Sequence, residues 1–135
     1  MEHFKAKSRK LAGQYSEYEP LPGLRIDGRQ TSTENIADLE GLATAWDAYQ
    51  LSLNGRPTTA IEGWTAEQRF FLAFAQNLRA KYREAALRRQ IVTDILSPPP
   101  YRALTVRNLD SWYWAFDVKR GQKLYLAPAE RVKIW

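Results

Sequence analysis

The sequence contains no cysteine, one histidine and no long hydrophobic run. Without cysteine there is neither a disulfide nor a thiolate metal site. The lone imidazole, His3, cannot build a histidine-rich metal centre, and we interpret it as a solvated terminal residue. No run of about 18 apolar residues is present, so no membrane segment is expected. The charged start, Met1 to Lys7, has no apolar signal core and indicates no compartment.

What is present indicates one globular unit over residues 1–135. Hydrophobic residues make up 44% of the chain and charged residues 26%, a globular balance rather than a disordered one. The net charge of +5 permits contact with nucleic acid, anionic membranes or acidic peptides, but it selects none of them. No P-loop, nucleophile elbow or dinucleotide fingerprint occurs.

Hydrophobic spacing predicts a mainly α architecture. The predicted helices are 4–18, 33–53, 65–93 with a bend near Arg83-Glu84, and 108–116. Thr65 and Gln68 fit a capping box at the start of the third helix. The proline-rich stretch 97–101 is expected to be non-helical, either as a connecting loop or as a peptide-recognition ligand. Residues 132–135 are expected to pack back onto the fold.

Two carboxylates, Glu34 and Asp38, stand four residues apart near the start of the second helix. Residues at i and i+4 share one helix face, where like charges repel unless a cation lies between or above them. A metal ion, an imidazolium or an arginine would serve. From local spacing alone, Glu34 also fits a capping box with Thr31, and Asp38 fits an acid favoured by the helix dipole.

A basic segment, residues 79–89, carries five positive side chains and one acid. A cationic helix can follow the phosphates of DNA or RNA. A solvated helix face is the commoner explanation, so we regard nucleic-acid binding as the weaker interpretation.

Several short segments, taken in order, resemble one protein family. They are Tyr18 to Gly23, Glu34 to Asp38, Gln68 to Gln76, Thr93-Asp94, Ser97 to Pro99, Tyr101-Arg102, Asn108 to Phe116 and Ile134-Trp135. The ordered set resembles the C-terminal part of the neprilysin and endothelin-converting-enzyme family of zinc metallopeptidases, especially its bacterial members. The resemblance spans nearly the whole chain.

The resemblance implies the helical C-terminal portion of a thermolysin-like (zincin) catalytic domain. In the family, zinc is held by two histidines of an H-E-x-x-H helix and by one downstream glutamate, which matches Glu34. Asp38 matches the acid that orients a zinc-binding histidine. Arg102 matches an arginine that binds the peptide backbone, and Leu96 stands where the family has an oxyanion-stabilising histidine.

The departures from the family pattern imply a limited role. No H-E-x-x-H motif occurs in the sequence, Leu96 cannot donate a hydrogen bond, and Glu40 stands where relatives usually have glycine. The resemblance therefore implies a C-terminal segment that contributes the third zinc ligand and part of the peptide cleft. Alone, we expect it to be inactive and to hold zinc weakly, because zinc needs about three protein ligands.

The complete enzyme would use zinc as cofactor and a peptide as substrate, with the missing N-terminal catalytic portion or another chain as partner. We then expect an exposed apolar patch around Ile36, Leu39 or Trp46, where that portion would pack. The alternative is a degenerate, non-catalytic peptide- or protein-binding module. Leu96 and Glu40 favour the alternative, whereas retention of Glu34 and Asp38 counts against it.

Overall fold

The computed structural model describes residues 2–135, and these residues form a helical fold, as the hydrophobic spacing predicts. Within this range the only β-pairings are two isolated bridges, Leu21 with Leu24 and Ile61 with Trp64. No helix in residues 2–135 is long and apolar enough to cross a bilayer. The helices are α1 Glu2–Ser16, α2 Ser32–Leu53, α3 Ala66–Asn77, α4 Glu84–Thr93, α5 Pro99–Arg102 and α6 Asp110–Phe116, with 3-10 turns at Ala103–Asn108 and Pro128–Glu130.

The core forms where α1 packs on α2 and the later elements close around them. Leu11 and Tyr15 come from one face of α1, since residues four apart in a helix point the same way. They meet Leu39 and Leu42 of α2. The remaining fully buried apolar members are Ile26, Phe71, Val106, Leu109, Val132 and Ile134.

The predicted helix over residues 65–93 is two helices in the structure. Its start is confirmed: Thr65 caps α3 through a reciprocal capping box with Gln68. The prediction of one continuous helix is wrong, because residues 78–83 are non-helical and separate α3 from α4. Every side chain from residue 79 to 83 is exposed, so no packing stabilises a helix across this stretch, and a helical turn without packing is marginal in water.

The proline-rich stretch also departs from expectation. Pro98 is extended, as predicted, but Pro99–Arg102 forms one helical turn, α5. Proline is favoured in the first turn of a helix, where its missing N–H would have no partner and its φ is already helical. The turn directs Arg102 towards α2.

The C-terminal residues pack back onto the fold, as predicted. Val132 and Ile134 are each 2% exposed. The N–H of Ile134 donates to Oε1 of Glu40 at 3.1 Å, while Nζ of Lys7 donates to the carbonyl of Ile134 at 3.3 Å. Glu40 therefore holds the segment around Ile134 on α2.

The expected exposed patch around Ile36, Leu39 or Trp46 is not found. Leu39 is 2% exposed, and Ile36 and Trp46 pack against the core. These side chains lie on the face of α2 that is turned towards this chain's own core. The exposed positions of α2 include a stripe of small or apolar side chains, namely Ala37, Gly41, Ala45, Ala48 and Leu51, beside polar ones such as Thr44, Asp47 and Gln50.

Candidate functional site

The candidate site lies on the first two turns of α2. Glu34 is in the first turn of the helix and Asp38 follows one turn later, so the two carboxylates share a face. The local alternative for Glu34 is wrong, because the side chain of Thr31 makes no capping hydrogen bond. The hydroxyl of Thr31 instead donates to the carbonyl of Asp27 at 3.0 Å.

The cation beside these carboxylates is Arg102. Its Nε donates to Oδ2 of Asp38 at 2.7 Å and its Nη2 donates to Oδ1 at 2.8 Å. Such a two-point pair is both stronger and more directional than a single contact. The side chains of Arg102 and Asp38 are 24% and 14% exposed, so the pair is mostly shielded from solvent while one edge stays open.

The electrostatic environment keeps Arg102 charged. Its hydrogen bonds to Asp38 raise the pKa of the guanidinium, and the negative charges of Asp38 and Glu34 add to this effect against the opposing cost of burial. Glu34 therefore lies close enough to influence Arg102. Among residues 2–135, however, no hydrogen bond or ion pair engages the Glu34 carboxylate.

Residues 2–135 do not by themselves form a complete metal site. Within the described part of the chain, no group of three histidine, cysteine, aspartate or glutamate side chains converges. Glu34 is half-buried and free to accept a ligand, while Asp38 is already engaged by Arg102. The arrangement therefore fits one zinc ligand but not the three that a zinc site draws from protein.

Leu96 lies in the short segment between α4 and α5 and is half-buried. Its backbone N–H donates to Oδ1 of Asp94 at 2.9 Å, and Nε2 of Gln30 donates to the Asp94 carbonyl at 2.7 Å. These contacts attach the segment to the loop that precedes α2. Position 96 is thereby held near the start of α2, although its side chain offers no hydrogen-bond donor.

Sequence reasoning missed three polar residues of this region: Thr31, Asn35 and Ser97. All three are buried, and Asn35 and Ser97 are fully so, joined by a hydrogen bond of 2.9 Å. Helical spacing alone could have identified Asn35 as a buried residue, because it lies on the same stripe of α2 as Leu39 and Leu42. An amide on an otherwise apolar stripe predicts a buried polar contact.

Two other features lie apart from this site. The basic segment is not one helix, since residues 79–83 are irregular, and its Arg88 is paired with Glu84 at 3.0 Å. A cleft of about 590 Å³ runs between α2, the start of α6 and the C-terminal residues, with Trp114 and Trp135 among its walls. Glu34, Asp38 and Arg102 do not line this cleft.

Comparison with known proteins agrees with the fold and the sequence pattern. A family model described as "Peptidase family M13" matches residues 1–132. Neprilysin-3 of Drosophila melanogaster is 32% identical over 100% of this chain and 17% of its own length. Human endothelin-converting enzyme-like 1 is 34% identical over 82% of this chain and 15% of its own length.

A solved structure of the Mycobacterium tuberculosis zinc metalloprotease ZMP1 in complex with an inhibitor has the same fold. It superposes with a TM-score of 0.96 at 44% identity and covers 99% of this chain and 22% of its own. The chain thus spans about a fifth or less of the relatives that it matches. Because a family model covers nearly all of its residues and these relatives match it along its length, the chain belongs to peptidase family M13, the neprilysin-type zinc metallopeptidases.

Proposed function

We propose that this chain is the segment of a neprilysin-like zinc endopeptidase that supplies the third zinc ligand and part of the peptide-binding cleft. One observation carries the proposal: the unengaged carboxylate of Glu34 lies one helical turn from a two-point Asp38–Arg102 pair. A free carboxylate beside an oriented acid and a partly exposed guanidinium is a suitable set for holding a metal and a peptide.

In this proposal, Glu34 is the metal ligand and Asp38 orients a zinc-binding histidine. A carboxylate has about four lone-pair sites, so Asp38 can accept from an imidazole N–H while it also accepts from Arg102. Zinc, when bound, would supply Lewis-acid polarisation and an activated water. The histidine ligands would come from a portion that carries H-E-x-x-H, in the same protein or on another chain.

Arg102 would bind the backbone of the peptide substrate. A guanidinium has five N–H donors. Asp38 occupies two of them, which leaves three for a ligand. Because the side chain is 24% exposed, these donors can reach a carbonyl oxygen of a bound peptide while Asp38 holds the group in place.

Leu96 would weaken catalysis in the complete enzyme. At the position that the family resemblance assigns to an oxyanion-stabilising histidine, leucine donates no hydrogen bond. The loss of one such donor costs about 100- to 1,000-fold in turnover. We therefore propose a slow peptidase when complete and an inactive chain when isolated.

Zinc binding by the isolated chain tests the ligand count. With one ligand available, calorimetric titration is expected to give no tight stoichiometric binding, and Glu34→Ala is expected to remove any weak signal. Zinc that remains bound at one equivalent after dialysis against a weak chelator would contradict the proposal.

A chimera tests the site as a whole. This chain would replace the matching 22% of M. tuberculosis ZMP1, to which it is 44% identical. We expect zinc-dependent hydrolysis of peptides that is slow, restored about 100- to 1,000-fold by Leu96→His, and abolished by Glu34→Ala. A folded chimera that carries Leu96→His, binds zinc and still cleaves no peptide would refute the assignment.

A second function, a non-catalytic peptide- or protein-binding module, is favoured by Leu96 alone. Glu40 no longer supports it, because this side chain holds the N–H of Ile134. The two functions differ in their dependence on Glu34. Under the second, Glu34→Ala leaves peptide binding by the chimera unchanged, and Leu96→His restores no hydrolysis.

A further inference from the structure

We propose that Asn35 and Ser97 are positioning residues, which set the register of the 97–102 segment on α2 and thereby aim the guanidinium of Arg102. What Arg102 then binds rests on the proposed function, whereas the positioning itself is a property of this chain alone. The contacts that carry the proposal form a buried chain of hydrogen bonds beside the Asp38–Arg102 pair.

The hydrogen-bond chain runs from Ser97 to Asp27. The hydroxyl of Ser97 donates to Oδ1 of Asn35 at 2.9 Å, and Nδ2 of Asn35 donates to Oγ1 of Thr31 at 2.9 Å. The hydroxyl of Thr31 donates to the carbonyl of Asp27 at 3.0 Å. Ser97 and Asn35 are 0% exposed and Thr31 is 3% exposed, so water cannot replace a lost partner.

Thr31 takes part in this chain of hydrogen bonds instead of capping the start of α2. Thr31 occupies the N-cap position of α2, where a threonine hydroxyl normally accepts from a free N–H of the first turn. Its hydroxyl makes no capping hydrogen bond and instead donates to Asp27 and accepts from Asn35. Giving up a cap lowers the stability of the helix, and such local departures concentrate at functional sites.

Two contacts connect α2 with the 97–102 segment in parallel. On α2 the contact residues are Asn35 and Asp38, which are three apart and lie on neighbouring positions of one face. On the other side they are Ser97 and Arg102, bridged by the α5 turn.

The α5 turn transmits the position of Ser97 to Arg102. The carbonyl of Pro98 accepts from the N–H of Tyr101 at 2.8 Å and from that of Arg102 at 3.2 Å. Anchoring Ser97 therefore fixes the carbonyl on which the turn is built. The backbone of Arg102 follows, and its side chain reaches Asp38 in the two-point geometry.

The Asn35–Ser97 hydrogen bond fixes the backbone register of the 97–102 segment, which the Asp38–Arg102 ion pair alone does not fix. An arginine side chain is long and can reach a carboxylate from several backbone positions. An amide and a hydroxyl that are both fully buried satisfy each other only at one register, and a half-satisfied buried pair is costly. The Asn35–Ser97 bond therefore selects one backbone position for Arg102 and one direction for its three free donors.

The test is the exchange rate of the Arg102 Nε–H proton, measured by NMR on this chain and assigned with Arg102→Lys. Ser97→Ala removes the donor to Asn35. Thr31→Val keeps the shape but removes the acceptor of Asn35. In both we expect exchange of the Arg102 proton to be about three- to tenfold faster than in the parent chain, the range for losing one net hydrogen bond.

Two comparisons separate positioning from general destabilisation. Thr31→Ser retains the hydroxyl and is expected to preserve the parent exchange rate. Gln14→Ala removes a different amide pair, since Gln14 and Asn108 exchange two hydrogen bonds of 2.9 Å, and it is expected to lower stability without altering the Arg102 proton. If Ser97→Ala does not fold, the isosteric Thr31→Val carries the comparison.

The proposal is overturned if Thr31→Val folds with an unchanged Arg102 exchange rate, or if Gln14→Ala accelerates that proton equally. The readout does not depend on zinc or on peptide hydrolysis. An inactive chimera would therefore count against the proposed function, while an unchanged Arg102 proton would count against the positioning role.

Discussion

Replacement of Glu40 tests whether this departure from the family pattern has a structural purpose. Glu40 lies in the middle of α2, and its Oε1 accepts the N–H of Ile134, 94 residues away in sequence. The contact holds a segment whose Val132 and Ile134 side chains are each 2% exposed. We expect Glu40→Ala to loosen this C-terminal segment and lower the free energy of unfolding.

The magnitude follows from the contact and the helix. A hydrogen bond to a charged group contributes about 1.5–3 kcal/mol, and the half-buried position of Glu40 reduces this to about 1–2 kcal/mol. Glu40→Gly, the residue that the family resemblance implies at this position, adds about 0.5–1 kcal/mol for glycine in a helix interior. Glu40→Gln keeps an oxygen acceptor and is expected to lose less than about 1 kcal/mol.

The assay combines urea denaturation with amide hydrogen exchange of Ile134. A matched control is Gln50→Ala, an exposed position of the same helix, for which a change within about 0.5 kcal/mol is expected. In Glu40→Ala, the Ile134 amide is expected to exchange faster than the global unfolding rate explains.

The order of the three variants decides the outcome. The free energy of unfolding is expected to be highest in the parent chain, lower in Glu40→Gln, lower again in Glu40→Ala and lowest in Glu40→Gly. A Glu40→Gly chain as stable as the parent, or an Ile134 amide equally protected in Glu40→Ala, would refute the role of this hydrogen bond. Glu40 would then again favour a decayed site.

Three further predictions concern other parts of the fold. A double-mutant cycle of Asp38→Ala and Arg102→Ala, read by urea denaturation, is expected to give a coupling energy of about 1–3 kcal/mol, and additivity would contradict the two-point pair. Gly41→Ala is expected to stabilise the isolated chain by about 0.5–1 kcal/mol, because a Cβ at this helical position meets nothing within 4 Å. Gly28→Ala is expected to destabilise the chain, because its Cβ would clash with the carbonyl oxygen of Ala12. Burial raises the pKa of Tyr15 above its usual 10.0, so the hydroxyl ionises in the unfolded chain before it does in the folded one. Its contribution to stability is therefore complete below pH 10 and declines above it by up to about 1.4 kcal/mol per pH unit. Tyr15→Phe is expected to flatten this decline in pH-dependent denaturation.

Local patterns predicted much of the helical framework. The apolar spacing of residues 33–53 predicts α2 to within one residue of Ser32–Leu53, and the Thr65 capping box marks the start of α3. Both depend on interactions within one or two helical turns. The ordered family motifs likewise depend on residue identity, and the family membership that they indicated is confirmed.

Local sequence patterns gave wrong predictions where tertiary packing determines whether a segment is helical and which side chains are exposed. Hydrophobic spacing predicted one helix over residues 65–93, but Tyr82 within it is 42% exposed and residues 78–83 are not helical. The prolines of residues 97–101 predicted an irregular segment, yet Pro99 and Pro100 begin a helical turn that ends at Arg102. An exposed apolar patch was expected around Ile36, Leu39 or Trp46, but these side chains face this chain's own core.

By itself the sequence determined the helical class, the absence of thiol chemistry, most helix boundaries and the family, because these follow from composition, local periodicity and residue identity. Only the tertiary structure decided that Arg102 pairs with Asp38, that Ser97 bonds Asn35 and that Glu40 holds Ile134. These partners are 64, 62 and 94 residues apart. No local rule relates residues at such separations, since their meeting depends on how the helices pack and on which buried polar groups must then satisfy one another.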